Sequence, residues 1–230
     1  MREYDPRAGD VPRNPGAARC SRCGMHVHAC LCDELRPREV ATRVVVLRHR
    51  KEAHKTTNTG RLVPLMLAGS ELRAFGERHD VLSASNLIDP ARNTLLLYPG
   101  KNSRELCAAD AARSPVKLIV PDANWRRAFK LTTREPALAA LPRVHLPEGA
   151  PSIYRLRRHT DPRFLATFEA VARALGILEG AEVEAHLMRV FALMVERTLH
   201  SRGRFTRHHP LDLIALDRSV HRPSNSGTTA

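Results

Sequence analysis

Short runs of apolar residues alternate with polar segments along most of the chain. Three runs, at 42–49, 93–100 and 116–122, are rich in leucine and β-branched residues and end at polar residues or turn signals. Near-continuous apolar runs of this length are typical of strands buried on both faces of a parallel sheet. A weaker run at 140–148 predicts a fourth strand.

Segments with helical spacing lie between these runs. Asn58 or Thr59 is placed to cap one helix, Ser103 a second helix over 103–113, and Asn124 begins a third. The alternation predicts an α/β fold, with a mostly parallel sheet flanked by helices.

The C-terminal third has a different pattern. Apolar residues at helical spacing predict two helices, at 161–180 and 181–203, with Gly176 and Gly203 as stops. We expect these helices to pack on the α/β core rather than to form a second domain.

The polar segments and Pro37 suggest the domain boundaries. The predicted parts are a disordered lead-in at 1–17, a cysteine-rich knuckle at 18–37, an α/β catalytic domain at 38–215 and a flexible tail at 216–230.

Composition narrows the range of partners. The 230 residues are 43% hydrophobic, which suffices for one core of moderate size. No run of about 18 apolar residues occurs, so no membrane span is expected. The N-terminus lacks the apolar segment of a secretory signal, and we expect a cytoplasmic protein.

The charge balance points to a polyanion. Thirty-seven Lys and Arg residues against 24 Asp and Glu give a net charge of +13, and nucleic acid is the first candidate partner. The alternative is a genome of high GC content, which raises the arginine content of its proteins without any such partner.

Four of the five cysteines fall in one segment with the spacing C-x2-C-x6-C-x-C: Cys20, Cys23, Cys30 and Cys32. Gly24 allows a tight knuckle, and four thiolates complete the tetrahedral shell of structural Zn²⁺. Two disulfides are a less favoured alternative, since nothing indicates an oxidising compartment. Redox chemistry is a third alternative, disfavoured because no strand-helix pattern surrounds the first cysteine pair. His26 and His28 are alternative ligands.

The fifth cysteine, Cys107, lies outside this segment and is expected to be a small core residue.

Polar turns follow the predicted strands at one edge of the sheet, where open α/β sheets bind ligands. These turns lie at 48–61, 98–105 and 121–128, and a basic loop at 151–159 surrounds Tyr154. Neither G-x-G-x-x-G nor G-x-x-x-x-G-K-[ST] occurs in them, so an ordinary dinucleotide or P-loop site is not supported.

The motifs in these turns resemble those of the DTW-domain family, the tRNA-uridine aminocarboxypropyltransferases. The namesake Asp-x-Thr-Trp corresponds to 122–125, with Asn124 in place of threonine. The cysteine segment, "RHRKEAHKTTNTGRL", "LLLYPG" and "SIYRLRR…TFEAVA" are similar to the other motifs, in the correct order. The resemblance covers about 18–200, and the family's Ser-Thr before a late glutamate is Ala166-Thr167 here.

The resemblance implies a domain related to the knotted SPOUT methyltransferases, with a trefoil knot. It implies transfer of the 3-amino-3-carboxypropyl group from S-adenosylmethionine to a uridine ring nitrogen in tRNA, leaving 5′-methylthioadenosine. The alternatives are an S-adenosylmethionine-dependent RNA methyltransferase and a non-catalytic zinc-knuckle RNA-binding protein. For the oligomeric state, the sequence allows both a monomer and a homodimer.

On this resemblance, Asp122 is the general base, because a protonated imide nitrogen is a poor nucleophile. Helix capping is its structural alternative. Asn124 binds the ligand or caps the helix, and Trp125 stacks on a base or packs the helix on the sheet.

Cofactor contacts are expected from Leu97, Tyr98, Pro99, Gly100, Tyr154 and Arg155. RNA contacts are expected from His49, Lys51, Lys55, Arg61, Arg126 and Arg158. Glu169 is placed to orient Arg155.

Overall fold

The fold is described from a computed structural model, which covers residues 18–76, 87–112, 114–156 and 164–202. The predicted RNA contact Arg158 and the predicted helix stop Gly203 lie outside the described residues, as do the predicted lead-in and tail.

Parallel strands form the centre of the fold. The described strands are β1 (Arg43–His49), β2 (Glu71–Phe75), β3 (Asn93–Leu97), β4 (Arg104–Glu105), β5 (Val116–Asp122) and β6 (Arg143–His145). They form one sheet in the order β2-β1-β5-β3-β6-β4, and every neighbouring pair is parallel. The predicted parallel α/β sheet is therefore confirmed, whereas the trefoil knot stays a prediction.

Helices cover both faces of the sheet. The described α-helices are α1 (Arg50–Ala53), α2 (Val63–Met66), α3 (Ala109–Ala112), α4 (Trp125–Arg134), α5 (Pro136–Ala139), α6 (Thr167–Glu179) and α7 (Ala181–Ser201). Short 3-10 turns lie at Val27–Ala29, Cys32–Glu34 and Gly60–Leu62. Within the described ranges, none of these helices combines the length and hydrophobicity that crossing a bilayer requires.

The side chains of alternate residues in each strand pack into two separate hydrophobic cores, one on each face of the sheet. On β1, Val44 and Val46 belong to the core that contains α6, α7 and the cysteine segment. Val45 and Leu47 belong to the opposite core, with residues of α4 and α5. This alternation follows from the period of two in a strand. As expected, the two C-terminal helices share the core of the sheet.

The predicted helix over 103–113 is wrong. Its first part is strand β4, and only the short helix α3 follows. The backbone N–H of Leu106 donates to the carbonyl of His145 at 2.8 Å, while the Asp110 side chain accepts from the N–H of Cys107 at 3.0 Å. These bonds replace helical ones. Cys107 is exposed rather than in the core.

Gly176 does not end helix α6, contrary to the prediction. The helix continues to Glu179 and ends at Gly180, whose φ of 109° favours glycine. A Cβ atom on Gly176 would lie 2.9 Å from the Cβ atom of Glu184 in α7. Gly176 therefore permits the close approach of the two helices.

Candidate functional site

The four clustered cysteines form one group that can hold a metal ion. Their Sγ atoms lie within 4.8 Å of one another, with 3.5 Å between Cys20 and Cys32 and 3.7 Å between Cys23 and Cys30. Zn–S bonds of about 2.3 Å in a tetrahedron require S–S separations of about 3.8 Å, so the geometry fits. Burial disfavours the Cys20 thiolate, but hydrogen bonds from the backbone N–H groups of Cys23 and Arg22 and from the thiols of Cys32 and Cys30 together lower the pKa of Cys20 to about 7. No disulfide joins these cysteines.

The knuckle is a tight turn built on Gly24. The φ of Gly24 is 70°, and its N–H donates to the carbonyl of Cys20 at 2.9 Å. The N–H of Cys20 donates in return to the carbonyl of Met25 at 2.9 Å. A glycine at this position is therefore required by the backbone conformation, as the spacing predicted.

The knuckle is fixed to helix α7. Arg197 donates to the carbonyl of Cys30 and forms an ion pair with Glu34 at 2.7 Å. His26 and His28 are not part of the metal group in the described residues; their rings stack on each other at a centroid distance of 5.5 Å. The metal group is thus anchored on the main core.

A cavity of about 620 Å³ lies at the carboxyl ends of β3, β5 and β6. This is the edge at which open α/β sheets bind ligands, and the volume is in the usual range for small-molecule sites. Six of the predicted site residues line it: Leu97, Tyr98, Pro99, Asn124, Trp125 and Tyr154. The remaining wall comes mainly from 145–151 and the start of α6.

Asp122 lies beside this cavity and is only 4% exposed. Its Oδ2 atom accepts a hydrogen bond from Nδ2 of Asn58 at 2.5 Å, and Oδ1 accepts from Oγ1 of Thr167 at 2.7 Å. Thr167 lines the cavity, whereas Asp122 itself is not part of the described lining. The threonine hydroxyl therefore connects the carboxylate to the cavity.

The neighbours of Asn58 also hold the carboxylate in place. A Cβ atom on Gly60 would lie 2.5 Å from Oδ2 of Asp122, so a larger residue would displace one or the other. Oγ1 of Thr59 accepts from the backbone N–H of Phe168 at 3.2 Å. Nδ2 of Asn58 donates to Asp122 and its Oδ1 atom accepts no hydrogen bond from the described residues, so Asn58 does not cap the helix predicted here. Only a 3-10 turn and helix α2 form.

Three aromatic rings form one side of the cavity. The Trp125 ring lies 4.7 Å from that of Phe164 and 5.7 Å from that of Tyr98, between centroids. Trp125 is 37% exposed, so it lies at the cavity rim rather than between helix and sheet. Burial raises the pKa of Tyr98, against the opposing effect of Arg143.

Asn124 both caps helix α4 and lines the cavity. Its Oδ1 atom accepts from the backbone N–H of Arg127 at 3.0 Å.

Gly100 lies outside the described lining, in a turn where its N–H donates to Oγ of Ser103 at 3.0 Å. Ser103 thus closes this turn instead of capping a helix.

The loop that forms one cavity wall is held by Glu169 and Arg173, four residues apart on α6. Glu169 is fully buried and pairs with Arg173 at 3.0 Å, rather than orienting Arg155 as predicted. Glu169 also accepts from the N–H of Ile153 at 3.2 Å, and Arg173 donates to the carbonyl of Ala150 at 2.7 Å. Arg155 forms an ion pair with Glu196 on α7.

Thr167 and Arg173 were not assigned to the site from sequence. Both line the cavity. The ion pair of Glu169 and Arg173 could have been predicted from sequence, because glutamate and arginine four residues apart lie on the same face of a helix.

His49 has an internal role in addition to its predicted contact with RNA. Its Nδ1 atom accepts from the backbone N–H of Lys51 at 3.1 Å and so caps α1. Burial lowers the pKa of His49, and the nearby guanidinium of Arg127 lowers it further. Lys51 is exposed.

The other described residues expected to bind RNA differ in exposure. Lys55 pairs with Glu52 at 2.6 Å, and Nε of Arg61 donates to the carbonyl of Asn58 at 2.9 Å. Burial lowers the pKa of Arg61. Arg126 is exposed on α4. Their contact with RNA stays a prediction.

Comparison with known proteins identifies the family. The sequence model of the DTW domain matches residues 17–199, which is most of the chain. This protein therefore belongs to the DTW domain family. No solved structure gives a significant match to the chain.

Three curated relatives carry the name tRNA-uridine aminocarboxypropyltransferase 2. The chain is 28% identical to the Drosophila melanogaster protein over 168 residues, 28% to that of Macaca fascicularis over 184, and 30% to that of Mus musculus over 169. The matches cover 70%, 75% and 70% of this chain, in that order. They cover only 66%, 61% and 56% of the relatives.

Proposed function

We propose that this protein transfers the 3-amino-3-carboxypropyl group of S-adenosylmethionine to a uridine ring nitrogen in tRNA and releases 5′-methylthioadenosine. The observation that carries the proposal is a buried carboxylate, Asp122, joined by the hydroxyl of Thr167 to a cavity of about 620 Å³. Membership of the DTW family and the printed names of the relatives support the same reaction.

The cavity walls suit S-adenosylmethionine. Leu97, Tyr98 and Pro99 provide an apolar wall for the adenosine part, with Tyr154 on the opposite loop. The face of Trp125 favours a cation such as the sulfonium. Contacts of Gly100 and Arg155 with this substrate stay predictions, because both lie outside the described lining.

The chemistry requires removal of one proton. The uridine ring nitrogen forms a bond to the methylene carbon beside the sulfonium, while the carbon–sulfur bond breaks. Sulfur keeps that electron pair and leaves as the neutral thioether of 5′-methylthioadenosine. The nitrogen's proton passes through the hydroxyl of Thr167 to Asp122, which acts as general base. The Oδ1 atom of Asn124 caps α4, and we assign to its amide N–H groups a hydrogen bond to the ligand, because Asn124 lines the cavity.

Zinc is the metal that we propose for the cysteine group. Four sulfur ligands fill a tetrahedral shell and leave no open position, so the ion stabilises the fold and takes no part in the transfer.

The tRNA is the polyanion that the charge of +13 favours. We assign phosphate contacts to His49, Lys51, Lys55, Arg61, Arg126 and Arg158. A cytoplasmic location and the trefoil knot belong to the same proposal.

The small-molecule product tests the reaction. Purified protein is incubated with S-adenosylmethionine and unmodified tRNA, and the products are separated by chromatography, with Asp122→Asn as the control. We expect 5′-methylthioadenosine from the native chain only. Formation of S-adenosylhomocysteine would support an RNA methyltransferase instead. Intact S-adenosylmethionine together with tight tRNA binding would support a non-catalytic RNA-binding protein.

A further inference from the structure

Helix α4 carries a large aromatic side chain into solvent beyond the cavity. Phe129 is 58% exposed, the highest value among the large exposed hydrophobic residues of the described chain. It follows Trp125 by four residues, and residues at this spacing lie on one face of a helix. The rise between them is about 6 Å. An aromatic surface therefore continues from the cavity rim along α4.

The same helix is strongly basic. It contains no aspartate or glutamate, and its cations are Arg126, Arg127, Lys130 and Arg134. Arg126 and Lys130, the neighbours of this aromatic face, are both exposed. Aromatic rings among cations are the combination that binds single-stranded nucleic acid, because rings stack on bases and cations contact phosphates. In a duplex the bases are already stacked and the rings have no access to them.

A second copy of this chain fits the surface less well. A two-fold contact through α4 would bring its four cations against the same four cations of the partner. Like charges that face each other disfavour an interface. The charge of the helix therefore favours a polyanion over self-association.

We propose that Phe129 stacks on a base of single-stranded RNA next to the nucleotide that enters the cavity, while Arg126 and Lys130 contact the adjoining phosphates. The identity of the entering base as a uridine rests on the proposed function. The stacking itself requires only an unpaired RNA strand. Phe129 is thus a substrate-positioning residue outside the cavity.

Binding of RNA oligonucleotides tests this role separately from transfer. The probes are a short uridine-containing single strand and a duplex of equal length, and the fluorescence of Trp125, the only tryptophan, reports binding. The variants are Phe129→Ala and Phe129→Tyr. Ile88→Ala is the matched control, because Ile88 is 44% exposed and lies outside α4.

We expect Phe129→Ala to weaken single-strand binding roughly 5- to 150-fold, the range for loss of one base–aromatic stack. Phe129→Tyr and Ile88→Ala should bind like the native chain, and duplex affinity should change little. Equal affinities of the native chain and Phe129→Ala would overturn the proposal. So would a native dimer in analytical ultracentrifugation that Phe129→Ala dissociates, since a second copy would then occupy this face.

Transfer assays separate the two proposals. If the native chain binds the single strand through Phe129 but makes no 5′-methylthioadenosine, the proposed function fails and the stacking role stands. If Phe129→Ala transfers with an unchanged KM for tRNA, the stacking role fails and the transferase stands.

Discussion

The hydroxyl of Thr167 donates a hydrogen bond to Oδ1 of Asp122 over 2.7 Å and so joins the start of α6 to the end of β5. Asn58 holds the other carboxylate oxygen at 2.5 Å. Three segments that are distant in the chain thus meet at one buried carboxylate beside the cavity.

Replacement of Asp122 by asparagine should largely abolish transfer. Asparagine keeps the size of the side chain but cannot take up the proton, and loss of a general base costs about 10²–10⁴-fold in rate. The affinity for tRNA should stay within a few-fold of native. Single-turnover rates and tRNA binding measure the two effects. Losses of similar size in both would show that Asp122 has a structural role and is not a base.

Two substitutions at Thr167 separate the hydroxyl from the shape of the side chain. Thr167→Ser keeps the hydrogen bond to Asp122, whereas Thr167→Val keeps the volume and removes the hydroxyl. We expect Thr167→Val to lower kcat by up to about 10²–10⁴-fold, the range for a lost proton-transfer group. Thr167→Ser should stay close to native. Equal rates for both variants would exclude the proposed relay.

Cys23→Ser should lose the metal and destabilise the chain. Cys23 is 1% exposed and supplies one of four sulfur ligands, so serine breaks the tetrahedral shell within the core. The exposed Cys107, which lies outside the group, provides the control Cys107→Ser. Elemental analysis should find about one zinc per native chain and per Cys107→Ser chain, and almost none in Cys23→Ser. Full metal content in Cys23→Ser would refute the assignment.

Glu169→Gln should destabilise the chain and raise the KM for S-adenosylmethionine. Removal of one charge from a buried pair costs about 3–5 kcal/mol, and the side chain of Glu169 is 0% exposed. The loop that it holds forms a cavity wall. Chemical denaturation and steady-state kinetics measure the two effects.

The control is Glu71→Gln, because the side chain of Glu71 in the surface pair with Arg73 is 50% exposed. This substitution should cost less than about 1 kcal/mol and leave KM unchanged. Equal stability of the two variants would contradict a structural role for the buried pair.

Burial patterns explain which parts of the fold were predictable. The strands β1, β3 and β5 were predicted because both of their faces are buried and the sequence is continuously apolar. β2 was missed because, among the described strands, it pairs with β1 alone and carries Glu71 and Ala74 on exposed positions. β4 was missed because pairing with β6, a long-range contact, overrides the local helical pattern of 103–113.

The site was predictable where a motif and a strand end coincide. Asp122 is the last residue of β5 and Asn124 and Trp125 come directly after it, and the carboxyl edge of a parallel sheet is where ligands bind. The bonds of Asp122 to Asn58 and Thr167 depend on how distant segments pack, which spacing along the chain does not encode. The pairing of Arg155 with Glu196 instead of Glu169 was missed for the same reason, since Glu196 is on α7.

Mass spectrometry of tRNA nucleosides tests the central claim most directly. Unmodified tRNA is incubated with S-adenosylmethionine and the zinc-loaded protein, with Asp122→Asn in parallel, and then digested to nucleosides. We predict a uridine that gains the mass of one 3-amino-3-carboxypropyl group with the native chain and not with the variant. A protein that binds both substrates and adds no such mass to any uridine would contradict the proposed function.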